Sequence, residues 1–458
     1  MNRTGLWTTE DAHSGKVAAI AWQLRSGNGS RRSLALKKNS VAHLVPNARD
    51  RRFAKPKLDL RALNAIVEIN EQDMTCTAES GVAFSDLVKA TLARGLIPLT
   101  VPELKTITIG GAVSGCSVES MSYRYGGFHD SCLEYEVLLG SGDIKTCSRE
   151  VNPEMFHMMH SSYGTLGILS RLKFKLIPAK ACVRLQYVHL NNIDEFWRFL
   201  RECCDGTEYD FIDGIIHSKS QFVVCLGQMV ARAPYLSQPG PGYIYYRSTL
   251  ERKVDYLGTY DYFFRYDTEC HWLTRSIPLM ESKFIRSLLG RYFLGSTNLI
   301  RHTNTLRYFL RYRRRPDVIV DVFIPAYNFV SFYRWYEKEF RFHPLWIVPY
   351  RMPETYPWIS EQHRERLGGE ELFIDCAVYG KKNSDPTLDY SELLERKAYE
   401  FGGVKTLISR NHYDAETFWS IYNKPLYDKV KSEVDAGNQF GNLYHKLHPH
   451  RSNRYNRR

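Results

Sequence analysis

The stretch TITIGGAVSGCSVESMSYRYGGFHD, from Thr106 to Asp130, is rich in glycine and serine within a chain that is otherwise bulky and basic. Glycines stand at positions 110, 111 and 115, with short hydroxyl side chains beside them. Such a stretch can expose main-chain N–H groups, which are the donors that a pyrophosphate requires. The spacing matches neither G-x-G-x-x-G nor G-x-x-x-x-G-K-[ST]. Two interpretations therefore stay open at this point, a phosphate-binding loop and a tight structural bend.

Short β-rich segments and amphipathic helical segments alternate around this stretch. The patterns predict strands within residues 63–69 and 74–81, and a helix over 83–95 with Phe84, Leu87, Val88 and Leu92 on one face. Residues 133–147 resemble two strands around a Gly-Ser-Gly-Asp turn, and residues 153–180 a short helix followed by a long strand. These elements predict one α+β unit.

From about residue 181 to 409, predicted strands and helices again alternate, and hairpins are more frequent. This pattern favours an antiparallel sheet covered by helices. The aromatic and Arg-rich segment from Tyr243 to Arg315 fits neither period, and we interpret it as an excursion that forms a lid or a membrane-facing surface. The stretch from Asp414 to Lys446 is predicted to be helical. Residues 1–30 lack a clear period, so ordered structure is predicted to begin after them.

Composition limits the class of protein. The 458 residues, 43% of them hydrophobic, are enough for two or three cores. No apolar run reaches the roughly 18 residues that cross a bilayer, and no signal peptide is recognisable. Ten cysteines stand without a CxxC spacing, which predicts neither a disulfide framework nor a metal site and favours a reducing compartment. We expect a cytoplasmic protein that is soluble or attached peripherally to a membrane.

The net charge of +12 is concentrated in two aromatic-rich basic segments, from Arg307 to Pro316 and from His445 to Arg458. The simplest interpretation is a solvated surface or a frayed terminus, and the alternative is attraction to anionic lipid headgroups. No nucleic-acid-binding motif accompanies them, so no nucleic-acid partner is expected. The sequence does not predict an oligomeric state.

The order of the elements gives a more specific indication. The segments LDLRALNAIVEIN, TCTAESGVAFSDLVKATLARG, TIGGAVSG and YGGFHDSCLEYEVLLGSGDIKTC, within Lys57 to Pro178, closely resemble the FAD-binding domain of the PCMH-type, or vanillyl-alcohol oxidase, flavoproteins. The segments VPELKTITIGG, FRYDTECHW, HPLWIVPYR, ELFIDCAVYG and FWSIYNKPLYDKV are similar to the delta-24 sterol reductases. They also resemble bacterial FAD-linked reductases that saturate a methylene branch on fatty acyl chains.

The resemblance implies an α+β fold. It consists of a PCMH-type FAD-binding domain of two α+β subdomains, over residues 31–180, and a substrate or cap domain with a helix-covered antiparallel sheet, over 181–410. An N-terminal segment, 1–30, and a C-terminal helical segment with a basic tail, 411–458, complete the predicted organisation.

The resemblance also implies noncovalent FAD. Its contacts carry over to Thr108, Ile109, Gly110, Gly111, Ser114 and Gly115 around the diphosphate and one flavin face, to Glu119, Ser120, Tyr125 and Gly126 at the cofactor border, and to Gly164, Thr165, Gly167 and Ile168 at the adenine-ribose side. The first phosphate loop of the family corresponds to a weaker match, from Ser30 to Leu44. The histidine that bonds covalently to flavin in some members is not evident.

Alkene reduction requires a hydride at one carbon and a proton at the other. The resemblance implies NADPH or NADH as the reductant and suggests Glu103 as the acid, because related cytokinin dehydrogenases place an aspartate at that spacing before the glycine stretch. The alternative for Glu103 is a structural carboxylate that caps the glycine stretch or pairs with Lys105. Burial would raise the pKa of Glu103 and let it donate a proton near neutral pH.

Further candidates lie in the second block. Asp375 and Tyr379 fall on one face of a strand, as catalytic groups or as satisfied structural ones. Arg265 is a candidate for substrate contact, or it forms an ion pair with Asp267 that orders a lid. His412 and Tyr413 are weaker proton-donor candidates.

The leading hypothesis is an FAD-dependent reductase of an isolated C=C bond in a lipid, either a sterol side chain or a methylene-branched acyl chain, with possible peripheral membrane contact. An oxidase or dehydrogenase of an alcohol or amine with the same fold is the first alternative. A binding protein that retains only a vestigial flavin fold is the second.

Overall fold

The computed structural model describes residues 5–26, 33–39, 55–240, 243–269, 271–272, 286, 294–295, 298 and 317–448. The basic segment from Arg307 to Pro316, most of the basic tail and most of the excursion after Tyr243 lie outside these residues. Within the described ranges, no helix combines the length and the apolar character needed to cross a membrane.

The first half of the chain forms a small parallel pair and one antiparallel sheet. The pair consists of β1 (Ala35–Lys37) and β2 (Lys57–Asp59). The first sheet contains β3 (Ile66–Asn70), β4 (Thr75–Glu79), β5 (Leu96–Pro98), β6 (Cys132–Leu138), β7 (Ile144–Ser148) and β8 (Ile168–Pro178). Its order is β3-β4-β8-β6-β7, and β5 also pairs with β8.

The second sheet is antiparallel throughout its described part. It contains β9 (Cys182–Leu190), β10 (Phe211–Ser218), β11 (Gln221–Val230), β12 (Val254–Gly258), β13 (Val318–Pro325), β14 (Leu345–Arg351), β15 (Leu372–Lys381) and β16 (Val404–Lys405), in the order β12-β9-β11-β10-β14-β15-β13-β16. The antiparallel sheet predicted for the second block is confirmed.

The described helices are mostly short. They are α1 (Glu10–Ser26), α2 (Phe84–Leu92), α3 (Ile109–Gly115), α4 (Ser122–Tyr125), α5 (Pro153–Met159), α6 (Ile193–Asp205), α7 (Tyr245–Glu251), α8 (Thr259–Phe263), α9 (Phe329–Trp335), α10 (Glu361–Leu367), α11 (Tyr390–Glu400), α12 (Ala415–Ile421), α13 (Lys424–Val434) and α14 (Leu443–Leu447). Side-chain caps begin several of them. The Asn192 side chain, for example, accepts a hydrogen bond from the Glu195 N–H at 2.9 Å.

Alternation along the strands of the second sheet separates two apolar faces. Ile347, Ile374 and Val378 pack in a core with α6, α9 and α11, whereas Val348 and Ala377 belong to the core that also contains the first sheet. The second sheet therefore has helices on one side and the first α+β unit on the other. This arrangement confirms the predicted α+β fold, while the exact domain boundaries stay predictions.

The prediction that order begins after residue 30 is wrong, because α1 packs on the first sheet. Val17, Ile20 and Leu24 are buried at helical spacing against Leu58 and its neighbours. His13 is buried between two carboxylates, with Nδ1 2.9 Å from Glu79 and Nε2 2.9 Å from Glu136. The polar residues between the apolar positions of α1 hid this stripe.

We expect this His13 contact to make the thermal stability depend on pH. Burial lowers the pKa of His13, but its hydrogen bonds to Glu136 and Glu79 raise it overall to about 9, above the ordinary 6.5. The stabilisation is therefore complete below pH 6.5 and is lost as the pH rises through 9. A His13→Gln chain should lose about 2 kcal/mol of unfolding free energy at pH 6.5. Its melting temperature should also change less than that of the native chain between pH 6.5 and 9.5. An equal dependence of the melting temperature on pH in the native and His13→Gln chains would contradict this account.

Candidate active site

The glycine stretch forms the short helix α3 rather than an open loop. The Thr108 side chain caps this helix, accepting from the Gly111 N–H at 3.3 Å. The N–H groups of Ile109 and Gly110 donate to the carbonyl oxygens of Val82 and Ser80, at 3.0 and 2.9 Å. These two amides are satisfied within the first unit, and contacts of Thr108, Ile109, Gly110, Gly111 and Ser114 with FAD stay predictions.

Gly110 and Gly115 differ in the space around their Cα atoms. A Cβ atom on Gly110 would lie 2.6 Å from the Ser80 Cβ, so a close approach between α3 and the turn before α2 requires glycine there. A Cβ on Gly115 would meet no heavy atom within 4 Å. The structural bend is thus the correct interpretation at Gly110, whereas Gly115 opens onto free space.

That free space is a cleft between the two sheets, with a volume of about 640 Å³ including the part open to solvent. One wall comes from the first unit and the other from β13–β16 and the segment around α10. Its lining includes Gly115, Cys116, Val118, His129, Ser161, Tyr163, Phe323, Tyr350, Met352, Tyr356, Trp358, His363, Leu367, Phe373, Lys405, Thr406 and Tyr422.

The cleft suits a flat ring system with polar edges. Among the described residues, Trp358 Nε1 and both ring nitrogens of His363 are buried without a hydrogen-bond partner. Aromatic side chains line the cleft around these atoms. On the opposite wall, Gly115 has no side chain, so its main chain faces the cleft. Aromatic walls with a few unpaired polar atoms are the usual features of a cofactor cleft. The residues present therefore fit the flavin ring of FAD.

Of the cofactor residues carried over by resemblance, only Gly115 is part of the cleft lining. Ser120 lies under the second unit, where its Oγ is 2.9 Å from the Tyr262 hydroxyl, and Glu119 lies beside it. Gly126 has a left-handed main chain (φ +74°), and its carbonyl accepts from the Thr100 hydroxyl. Tyr125 packs against the core. Roles for these residues at the cofactor stay predictions.

The predicted adenine-ribose residues lie beneath the C-terminal helices. Lys446 Nζ donates to the Gly164 carbonyl at 3.1 Å, and Lys431 Nζ to the Thr165 carbonyl at 2.7 Å. A Cβ on Gly167 would lie 2.6 Å from a Val137 methyl carbon, and Ile168 begins β8. Their FAD contacts also stay predictions. No local sequence pattern predicts these contacts, because the C-terminal helices are about 270 residues away in the chain.

A mostly buried group that we call the acid cluster consists of Glu103, His271, Asp321, Asp375 and Tyr379. Three of them, Glu103, Asp375 and Tyr379, are predicted catalytic residues. Glu103 Oε1 lies 2.8 Å from His271 Nε2, and the Tyr379 hydroxyl donates to Asp321 Oδ1 at 2.6 Å. The His271 and Tyr379 rings are 4.3 Å apart between centroids. Sequence reasoning missed Asp321 and His271. Asp321 had a signal, because it interrupts the apolar strand VIVDVFIP as Asp375 interrupts LFIDCAVYG.

The acid cluster holds its carboxyl groups in different states. Burial, followed by the charges of Asp321 and Glu103, raises the pKa of Asp375 well above its ordinary value. Asp375 Oδ1 is also buried without a hydrogen-bond partner. Burial opposes ionisation of Glu103, but the hydrogen bond and charge of His271 outweigh it, so the pKa of Glu103 is lowered. The expectation of a raised pKa at Glu103 is wrong, and Asp375 is the carboxyl group whose pKa is raised most clearly.

The pKa of Asp321 is raised less than that of Asp375, whereas that of Glu103 is lowered. Burial raises the pKa of Asp321 to about 6, although the hydroxyl of Tyr379 donates to it. Tyr379 therefore directs its proton toward Asp321, and not toward a ligand.

The acid cluster adjoins the cleft directly. Phe323, in the cleft wall, is the register partner of Asp375 across β13 and β15. Thr406, also in the wall, places its Oγ1 3.3 Å from Asp321 Oδ2. A ligand in the cleft therefore lies next to the residues that hold the protonated carboxyl.

Arg265 joins the two units instead of pairing with Asp267. Its Nη2 lies 3.0 Å from Glu119 and 3.2 Å from Asp213, and the side chain is fully buried. The predicted Arg265–Asp267 ion pair is wrong, since Asp267 accepts from the Lys105 N–H at 3.0 Å. The alternative pairing of Glu103 with Lys105 is also wrong, because Glu103 bonds to His271.

The Arg265 contact is an interior ion pair and not a substrate contact. Burial raises the pKa of Glu119 to about 7, partly offset by the charge of Arg265. His412 and Tyr413 bond instead to Glu395, through the His412 N–H at 2.8 Å and the Tyr413 hydroxyl at 3.0 Å.

The comparisons with known proteins agree with this geometry. Residues 51–148 match a family described as an FAD binding domain. This match, within the first α+β unit, indicates an FAD-dependent oxidoreductase that carries an FAD-binding domain.

More particularly, the chain is similar over most of its length to proteins named delta(24)-sterol reductase. It is 24% identical to the Arabidopsis thaliana protein, covering 95% of this chain and 84% of that relative, and 23% identical to the Homo sapiens protein, covering 83% and 76%. A shorter similarity joins it to cytokinin dehydrogenase 4 of Arabidopsis thaliana, at 26% identity over 36% of this chain.

Proposed function

We propose that this protein reduces an isolated C=C bond in a lipid, with FAD as the bound cofactor and NADPH or NADH as the electron donor. The observation that carries the proposal is the buried Asp375 beside the cleft, whose Oδ1 has no hydrogen-bond partner and whose pKa is raised by burial, in a chain similar along its length to delta(24)-sterol reductases. An alkene carbon has no proton of its own to exchange, so its reduction needs such an acid.

Reduction of the alkene needs a hydride and a proton, which come from different groups. Reduced FAD, when bound, supplies a hydride. Asp375 holds a proton on its carboxyl group at the wall shared with the cleft and donates it to the other alkene carbon. The nearby carboxyl groups of Asp321 and Glu103 disfavour loss of that proton before substrate binds.

The cleft supports a lipid as the substrate class. Its wall includes the apolar side chains of Phe323, Met352, Leu367 and Phe373, which can bury a hydrocarbon chain. A sterol side chain and a methylene-branched acyl chain both satisfy this requirement. We also propose peripheral contact with a membrane on the cytoplasmic side, because such a substrate resides in the bilayer.

Product analysis tests the proposal. The FAD-loaded protein, incubated with NADPH and either a delta-24-unsaturated sterol or a methylene-branched acyl lipid, should convert one of them into a product heavier by two hydrogen atoms. Mass spectrometry measures the conversion, and the same mixture without NADPH is the control. Absence of a saturated product from both substrate classes would overturn the proposal.

A second candidate, a dehydrogenase or oxidase of an alcohol or amine, is favoured by the similarity to cytokinin dehydrogenase 4. It would use the ionised Glu103, held by His271, as a base. Reduction of the bound FAD by an alcohol or amine without NADPH, accompanied by hydrogen peroxide in air, would support this candidate instead.

A further inference from the structure

A second buried carboxyl group, Asp130, connects to the cleft outside the acid cluster. Its side chain is 2% exposed. Its Oδ2 accepts from the Gly127 N–H and from the Tyr356 hydroxyl, both at 2.7 Å. The Tyr356 hydroxyl is in turn hydrogen-bonded to the Tyr350 hydroxyl. Tyr350 and Tyr356 both line the cleft, so hydroxyl groups link Asp130 to the cleft wall.

This chain of hydrogen bonds joins the two units. Asp130 is the last residue of the glycine stretch in the first unit, whereas Tyr350 lies on β14 of the second sheet. Tyr350 pairs with Phe373 and Val348 pairs with Asp375, so Tyr350 is on the same sheet face as the acid cluster, two residues further along. A ligand in the cleft therefore lies next to the acid cluster and also contacts the tyrosines that are hydrogen-bonded to Asp130.

The surroundings favour a change of charge at Asp130 near neutral pH. Burial raises the pKa of Asp130 to about 7, although the hydrogen bonds from Tyr356 and Gly127 act against it. Asp130 Oδ1 has no hydrogen-bond partner among the described residues.

Burial shifts the pKa values of the histidines, cysteines and tyrosines around Asp130 away from neutral pH. His129 Nε2 is 3.4 Å away, but burial lowers the pKa of His129 to about 3, and burial also lowers the pKa of His157 and of His160. Burial raises the pKa of Cys116 and of Cys132 and that of the hydroxyls of Tyr135, Tyr350 and Tyr356. Glu354 and Arg149 pair with each other at 2.6 Å.

We propose that Asp130, Tyr356 and Tyr350 couple reduction of the bound FAD to the uptake of one additional proton. A hydride from a nicotinamide donor brings two electrons and one proton to FAD and leaves one extra negative charge in the cleft. The Asp130 carboxylate would then take up one proton from the bulk solvent and become neutral, which would restore the charge balance. The proposal rests on FAD binding in the cleft and is independent of the identity of the substrate.

The reduction potential of the FAD-loaded protein, measured between pH 7 and 8.5, tests the coupling. With the native chain we expect close to two protons taken up per two electrons, and with Asp130→Asn close to one. Tyr356→Phe keeps the carboxyl group but removes the link, and it should also lower the uptake. Tyr163→Phe is the matched control, because Tyr163 lines the same cleft but its hydroxyl accepts from the Leu407 N–H at 2.8 Å.

The outcomes separate this coupling from the assignment of the cleft. Normal FAD binding with equal proton uptake in the native and Asp130→Asn chains would overturn the coupling alone. Loss of uptake in Tyr163→Phe to the same extent as in Tyr356→Phe would also overturn it. A native protein that binds no FAD would overturn the coupling together with the cofactor assignment.

Discussion

Replacing Asp375 with asparagine should lower the rate of alkene reduction by about 10²- to 10⁴-fold, the range expected when a general acid is removed. Asparagine has nearly the same shape but no acidic proton. Because Asp375 is buried in β15 with one oxygen unpartnered, the substitution should leave the fold, FAD binding and reduction of FAD by NADPH unchanged. Steady-state turnover and anaerobic reduction of FAD, measured on the same preparation, check both parts.

Glu103→Gln is the matched control for Asp375→Asn. Glu103 is buried in the same acid cluster, but His271 holds it ionised, so it has no proton to give. We expect its loss to reduce turnover less, through a weaker electrostatic effect on Asp375. If Glu103→Gln abolished turnover while Asp375→Asn retained it, the proton donor would be Glu103 and the present assignment would be wrong.

Replacing Arg265 with methionine should lower the free energy of unfolding by about 3–5 kcal/mol, because it leaves the carboxylates of Glu119 and Asp213 buried without their cation. The guanidinium also lies over the rings of Tyr262 and Tyr266, with its carbon 4.2 and 4.8 Å from their centroids. Methionine replaces only the apolar part of these contacts. Urea unfolding measures the change.

An exposed ion pair provides the control for Arg265. Arg334 and Asp194 pair at 2.8 Å with side chains 61% and 65% exposed. Arg334→Met should change the unfolding free energy by less than about 1 kcal/mol. Adding Glu119→Gln to Arg265→Met should restore part of the lost stability by removing one uncompensated charge. Similar effects of Arg265→Met and Arg334→Met would contradict the role of Arg265 as the ion pair between the units.

The alternation of residues predicted most of the fold and part of the acid cluster. Period-two patterns indicated most strands of both sheets, although not β5, β12 or β16. In ELFIDCAVYG they placed Asp375 and Tyr379 on one face, as the structure does. The same reasoning applied to VIVDVFIP would have added Asp321. The resemblance then indicated which of the two units holds FAD, and the match over residues 51–148 confirms that domain.

The remaining features depend on contacts between distant parts of the chain. Glu103 and His271 are 168 residues apart, so no local pattern shows that a histidine keeps this carboxylate ionised. The partner of Arg265 was misassigned because Asp267 is near in sequence whereas Glu119 and Asp213 are near in space. At Gly110, glycine is required by the close approach of Ser80, which composition alone does not distinguish from a requirement for a phosphate.

Anaerobic mixing of the FAD-loaded, NADPH-reduced protein with an alkene lipid tests the central claim most directly. We predict that the absorbance of oxidised FAD returns with the native chain, in step with formation of one saturated product per FAD, and that it stays low with Asp375→Asn. FAD that remains reduced in the presence of both lipid classes, yet is reduced rapidly from its oxidised form by an alcohol or amine, would contradict the account.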